Sequence, residues 1–187
     1  MIYQCSPIKV DLVFKLSKSV DKFKNEYKED DIYIFDFKFW EKVFSKWMDL
    51  VILEKGSEFT EVFRVRNFSL SFEIINNNEI EKLNRKWLNK TGATDVLSFP
   101  IIDKDYVFGD IDFLELGDLF VSLEMASSQS KENKHSLRNE IIWLASHGFL
   151  HLLGWEHNSD NDLRDMVDFQ NYLISKLYLK SNRKINY

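Results

Sequence analysis

Between Phe39 and Leu53 the apolar residues Trp40, Val43, Phe44, Trp47, Met48 and Val51 recur at i, i+3 and i+4. That period predicts an amphipathic helix with one buried face, closed by Gly56. From Glu61 to Ile75 the period drops to two. β-Branched and aromatic residues alternate with polar ones in VFRVRNFSLSFEII, the pattern of a half-buried strand. The polar run Asn76–Asn78 leads into a short helix near Glu79–Leu88. Thr94–Ile102 (TDVLSFPII) is an extended apolar run, and its Pro100 belongs at a sheet edge or strand end because proline cannot donate to a central ladder. Gly117–Met125 (GDLFVSLEM) predicts another strand, and Leu163–Lys180 a last helix with Met166, Phe169, Leu173 and Leu177 along one side. Less patterned stretches are read as connections. Tyr33–Phe37 is read as a short strand, residues 103–118, with five aspartates and two glycines, as a loop or hairpin excursion, and Ser127–His135 as a polar connector. In residues 1–30, VDLVFKLSKSV fits a strand or a short helix, and FKNEYKEDD is a charged connector.

The most informative stretch is Ile141–His157, IIWLASHGFLHLLGWEH, which holds three of the four histidines in an otherwise apolar run. Apolar residues cover nearly its whole circumference, so the helix is expected to be buried, with Ser136 as its N-cap. On a helix His147 and His151 lie about 40° apart on one face and ~6 Å apart along the axis, a two-ligand grip for a metal. A continuous helix would carry His157 ~15 Å from His147, too far to share an ion. The chain must therefore turn back, and Gly154 stands where a helix-ending glycine is needed. Buried imidazoles need partners, and one shared cation supplies them all. Three neutral nitrogen ligands leave a fourth tetrahedral position open, the arrangement of a catalytic zinc site; nickel or copper would also suit the ligands. The fourth histidine, His135, is expected to be exposed and structural.

Composition narrows the class. With 187 residues, one domain is the default, and 44% hydrophobic with 29% charged residues is ordinary for a soluble globular chain. The net charge of −5 counts against non-specific nucleic-acid binding, although a local basic patch is compatible with it. A single cysteine, Cys5, excludes an internal disulfide and fits a reducing cytoplasm. No secretory signal is evident at the start, and the histidine-interrupted run at 141–153 is too short to span a bilayer.

HGFLHLLGWEH, preceded by LN…ATDVLSFP and GDLFVSLE, resembles the YbeY family of bacterial zinc-dependent endoribonucleases. The resemblance spans roughly residues 60–175. It implies an α+β fold, one domain with a small mixed sheet packed by helices and a central buried helix bearing the histidines. The domain itself would be residues 31–180, preceded by a divergent segment 1–30 and followed by a frayed tail 181–187. Zinc would be held, one ion per chain, by His147, His151 and His157. The substrate implied is single-stranded RNA, in 3′-end processing of the 16S rRNA precursor and quality control of the small ribosomal subunit, with no DNA or membrane partner. Two departures stand out. The position of an arginine tied to RNA cleavage in the family is Leu88 here, so Arg85 or Lys90 is a candidate for that charge, with Lys86 nearby. Glu156 replaces the usual aspartate before the last histidine, and is a candidate carboxylate beside the ligands or proton acceptor.

The expected reaction is metal-assisted phosphodiester cleavage, by activated water or by the 2′-hydroxyl of the RNA itself. Two rivals remain. A metzincin-like metalloprotease shares the spacing His-x3-His-x2-Gly-x2-His but needs a glutamate where this chain has Gly148. A metal-bearing factor of ribosome assembly would bind the small subunit without cutting.

Overall fold

A computed structural model describes residues 8–22, 24, 31–55, 65–101 and 112–177. Four strands form one mixed sheet in the order β1-β2-β4-β3: β1 (Lys9–Leu16), β2 (Asn67–Ile75), β3 (Val96–Pro100) and β4 (Phe113–Ser122). β1 and β4 both run parallel to β2, and β3 lies antiparallel on the outer side of β4. The alternation read in β2 is real: Phe68, Leu70, Phe72 and Ile74 are buried on one face, while Ser69, Ser71 and Glu73 point the other way. Pro100 ends the edge strand, where its missing N–H costs no ladder bond. Lys9–Leu16, within the 1–30 segment, is the opposite edge, with Val10 and Leu12 turned into the core; a single helical turn, α1 (Lys18–Asp21), follows it.

The apolar face of the sheet is covered by helices. α2 (Phe37–Lys55) packs on β1, and α5 (Leu137–Leu152) lies across β3 and β4. α4 (Leu123–Glu132) and α6 (Asp160–Leu177) pack against α5. An aromatic cluster joins these layers. Trp40 and Phe44 of α2 meet Phe72 of β2 at centroid distances of 4.6 and 5.5 Å, and Phe44 and Trp47 meet Phe149 of α5 at 5.7 and 5.8 Å. The two contacts with Phe72 are edge-to-face, and pairs of that kind add about 0.5–1.5 kcal/mol each beyond area burial. On the far side of the sheet, α3 (Asn77–Leu88) closes a smaller cluster of Ile75, Ile80 and Leu97. Its start is a reciprocal capping box between Asn76 and Glu79.

Four readings change. Tyr33–Phe37 is not a strand: Ile32–Phe35 is a 3-10 turn and α2 begins at Phe37. This short apolar run pairs with no strand among the described residues; instead Ile34 is buried and its carbonyl accepts the Trp40 indole N–H at 2.8 Å. Residues 113–118, read as loop, belong to β4, where Leu114 and Leu116 face the core between exposed Phe113 and Glu115. The predicted strand over 117–125 ends at Ser122, whose hydroxyl caps α4 by accepting from Met125 N–H. Residues 127–132, taken for a connector, are the rest of α4. After Leu123 its buried positions are small or polar (Ala126, Ser130), so residues 127–132 carry no apolar stripe to read. Gly56, residues 102–111 and the tail 181–187 lie outside the described residues.

β4 contains a bulge. Ser69 pairs with Glu115 and Ser71 with Asp118, so two residues, Leu116 and Gly117, oppose Leu70 alone. Gly117 has φ +128°, and a β-carbon there would stand 2.1 Å from the Phe99 carbonyl oxygen. Gly92 also has a positive φ, +92°, but open space around it. Gly117→Ala is therefore expected to lower the denaturant midpoint much more than Gly92→Ala, whose backbone strain alone costs about 1–2 kcal/mol. Equal losses in the two variants would show that the close approach to β3 does not constrain the bulge.

Candidate metal centre

The site begins with the way α5 starts and stops. The Ser136 hydroxyl accepts from Asn139 N–H, as expected of an N-cap. At the other end Gly154, at φ +85°, donates to the His151 carbonyl (2.9 Å), and Trp155 N–H donates to the Leu150 carbonyl (3.0 Å). These two bonds make a Schellman closure, and they reverse the chain immediately after the helix. The reversal is held from outside: the Trp155 ring stacks on Phe169 of α6 at 5.2 Å with an interplanar angle of 5°.

The rotation of α5 about its axis is marked by two neighbouring residues, Gly148 and Phe149. Phe149 is fully buried among α2 side chains, and it lies on the opposite side of the helix from His147 and His151. Gly148 faces the sheet, where a β-carbon would come within 2.2 Å of Leu119 Cδ1 and 3.1 Å of Val96 Cγ2. With glycine here the chain lacks the glutamate that a metzincin-like protease uses as its general base, which counts against that alternative.

His147, His151 and His157 meet. One ligand nitrogen from each lies within 4.8 Å of the others, the only such group of three among the described residues. Gln170, fully buried on α6, donates through its amide nitrogen to the Trp143 carbonyl (3.4 Å) and Ser146 Oγ (3.2 Å). Its carbonyl oxygen is thereby turned toward His147 Nδ1 at 3.1 Å, and His151 Nδ1 faces the Trp155 carbonyl at 2.8 Å. Both acceptors demand a proton on Nδ1, so both Nε2 atoms are left with lone pairs. Those two Nε2 atoms stand 3.1 Å apart. Two lone pairs brought together in a half-buried place repel each other unless a cation sits between them, so the donor set fits a metal ion.

Burial is the main cause that pushes the pKa of both His147 and His151 below the usual imidazole value. The neighbouring imidazoles push the same way, His157 on His147 and both His147 and His157 on His151. Partly opposing them are the hydrogen bonds to Gln170 and to the Trp155 carbonyl, and the charges of Asp95 and Glu156. The net result is neutral imidazole at neutral pH, the form that ligates.

The other candidates are more dispersed. Glu156 is exposed, accepts from Asn158 Nδ2 at 2.9 Å, and is close enough to bear on His151. Arg85 is exposed on α3 and paired with Glu81 at 2.7 Å. Lys90 is exposed just beyond the α3 C-cap, its N–H donating to the Asn84 carbonyl at 3.3 Å. No described hydrogen bond joins Arg85 or Lys90 to the histidines. His135 is exposed, as expected, and pairs with the buried Glu140.

Two residues of the site escaped the sequence reading. Gln170 occupies the apolar side of α6 with Met166 and Leu173, and a polar residue on such a stripe was the signal. Asp95 heads β3 within TDVLSFP, receives Gln129 Nε2 (2.9 Å) and Val96 N–H (2.8 Å), and acts electrostatically on His147.

Two measurements probe this geometry. By calorimetric titration Gln170→Ala is expected to weaken Zn2+ binding by about 10- to 100-fold, while His147→Ala abolishes it; unchanged affinity in Gln170→Ala would refute the role given to that amide. For the metal-free protein the sign follows from linkage. The folded state holds His147 and His151 less basic than the unfolded chain does, so the unfolded chain takes up more protons as the pH drops. Stability is then complete above about pH 6.5 and declines as the pH falls below it, before the carboxylates titrate. A melting temperature that stays flat between about pH 7 and 5 would contradict this.

Comparison with known proteins agrees. The family model for Endoribonuclease YbeY matches residues 22–178. A protein named Endoribonuclease YbeY from Prochlorococcus marinus (strain MIT 9515) is 52% identical over 174 residues, covering 91% of this chain and 95% of its own length. Its counterpart from Prochlorococcus marinus subsp. pastoris is 50% identical over 171 residues, with the same two shares. Among solved structures, the solution structure of TM1509 from Thermotoga maritima superposes with a TM-score of 0.52 at 16% identity, over 93% of this chain and all of that one, and so supports the fold. Taken with a histidine triad built on a Schellman turn, these matches establish that the chain belongs to the YbeY endoribonuclease family.

Proposed function

We propose that this protein is a zinc-dependent endoribonuclease that cuts single-stranded RNA, acting in maturation of the 16S rRNA 3′ end and in quality control of the small ribosomal subunit. The observation that carries the reading is the convergence of His147 Nε2 and His151 Nε2 at 3.1 Å, with His157 beside them. Zinc held by these three nitrogens supplies Lewis acidity toward a phosphodiester oxygen and an attacking hydroxyl. The chain's own residues do the rest. Gln170 and the Trp155 carbonyl hold the imidazoles in the ligating tautomer. Glu156, exposed at the mouth of the triad, takes the proton of the attacking hydroxyl. Lys90 and Arg85 meet phosphates of the RNA, the first from the turn that leads to Asp95, the second from α3. No helix among the described residues is long and apolar enough to cross a membrane, which is compatible with work on ribosomal particles in the cytoplasm.

One observation favours a second reading, an assembly factor that binds without cutting: Leu88, at the family's arginine position, is 45% exposed and offers a phosphate nothing. A single assay separates the two. Metal-loaded protein incubated with a single-stranded rRNA fragment is expected to cleave it, with activity lost on chelation and lowered at least ~1000-fold in His147→Ala. Cleavage by both forms, or by neither, excludes the zinc-nuclease reading. A 2′,3′-cyclic phosphate on the product identifies the RNA's own hydroxyl as the attacking group.

A further inference from the structure

The last turn of α3 carries an aromatic side chain that the fold does not bury. Of the five tryptophans, Trp40 and Trp47 are fully buried and Trp143 and Trp155 partly so, but Trp87 is 60% exposed. It rests against Phe99 of β3 at a centroid distance of 6.3 Å, and Lys86 Nζ stands 4.6 Å from its ring centre. An exposed cation–π contact contributes about 0.5–1 kcal/mol, less than the ~1.5–3 kcal/mol gained by burying a large apolar side chain. Fold stability does not account for where this ring sits.

Its surroundings are specific. Between Lys82 and Thr94 the chain has Lys82, Arg85, Lys86 and Lys90 and not one carboxylate, in a protein whose net charge is −5. All four cations are exposed. The turn that follows the helix is fixed: Asn89 is left-handed at φ +54°, Lys90 N–H donates to the Asn84 carbonyl, and buried Asn84 donates through Nδ2 to the Gly92 carbonyl at 3.0 Å. Lys90 is thus presented from a pinned turn between Trp87 and Asp95. Asp95 acts on His147, and Phe99, which supports Trp87, is four residues further along, ~13 Å of strand. The aromatic face and the cations of α3 thus lie on the far side of the sheet, and the turn from Lys90 to Asp95 joins them along the β3 edge to the side of the triad.

We propose that Trp87 is a stacking platform for one base of single-stranded RNA, with Lys86 and Lys90 pairing to the flanking phosphates, so that the strand is led around the β3 edge to the triad. This deepens the nuclease reading and rests on it. Stacking is indifferent to base identity because every base has a π face, and the platform gives grip without sequence preference.

The test is equilibrium binding of an unstructured, end-labelled single-stranded RNA to the full chain, with chelator present so that nothing is cut. Trp87→Ala is expected to weaken binding about 5- to 150-fold without changing its salt dependence, and Trp87→Phe to retain most of it. Lys86→Ala should lower the slope of log affinity against log salt by about 0.7, one phosphate contact on a single strand. Should Trp87→Ala fail to fold, Trp87→Phe decides: RNA quenches the wild-type tryptophan emission through Trp87, and a quench of the same size in Trp87→Phe overturns the proposal. Wild-type binding matched by Trp87→Ala overturns the platform and leaves the nuclease reading standing. Absence of any RNA binding by the wild type, with zinc as well as with chelator, removes both.

Discussion

The contact of Gly148 with Leu119 and Val96 is the constraint from which the rest of the site takes its orientation. With no side chain at that position, α5 can settle directly on β3 and β4, and Phe149 one residue later is driven into the aromatic cluster of α2. Those neighbouring residues allow the helix one rotation about its axis. In that rotation His147 and His151 lie on the side of the helix opposite Phe149, where they meet Gln170 of α6 and the returning chain. The placement of the two helical ligands is thus a by-product of how a helix lies on a sheet, and the Schellman reversal adds the third.

A second layer of order comes from hydrogen bonds that fix proton positions as well as atoms. Gln170 is committed at its nitrogen end to Trp143 and Ser146, which leaves only its oxygen for His147. The Trp155 carbonyl does the same for His151, and it is in place because the same residue completes the Schellman closure and stacks on Phe169. Helix ending, tautomer choice and docking of α6 are in this way one local arrangement. A polar group buried on α6 would be a cost in an ordinary core; here it is repaid by a fully satisfied network.

Where the sequence carried a period or a fixed turn requirement, it was readable. The i, i+3, i+4 stripe from Trp40 to Val51 located α2, and the alternation through Phe68, Leu70 and Phe72 located β2. Two histidines one turn apart followed by Gly154 foretold the meeting of all three rings. Legibility failed where tertiary partners decide. The apolar Ile32–Phe35 forms a 3-10 turn in which the Trp40 indole N–H donates to the Ile34 carbonyl. Beyond Leu123, α4 buries only small residues that advertise no face, and the first half of β4 was hidden behind aspartates and a bulge glycine. Gln170 and Asp95 come to the histidines from 23 residues after and 52 residues before His147, a proximity no local pattern encodes.

The three imidazoles differ in how they are supported. His147 and His151 are half-buried on a helix packed into the core, whereas His157 is exposed and belongs to the segment beyond the turn. A ligand mounted on the outside can swing off and return while the helix stays docked. An ion held there would enter and leave through a hinge of a few residues, at a rate set by local opening and not by global unfolding.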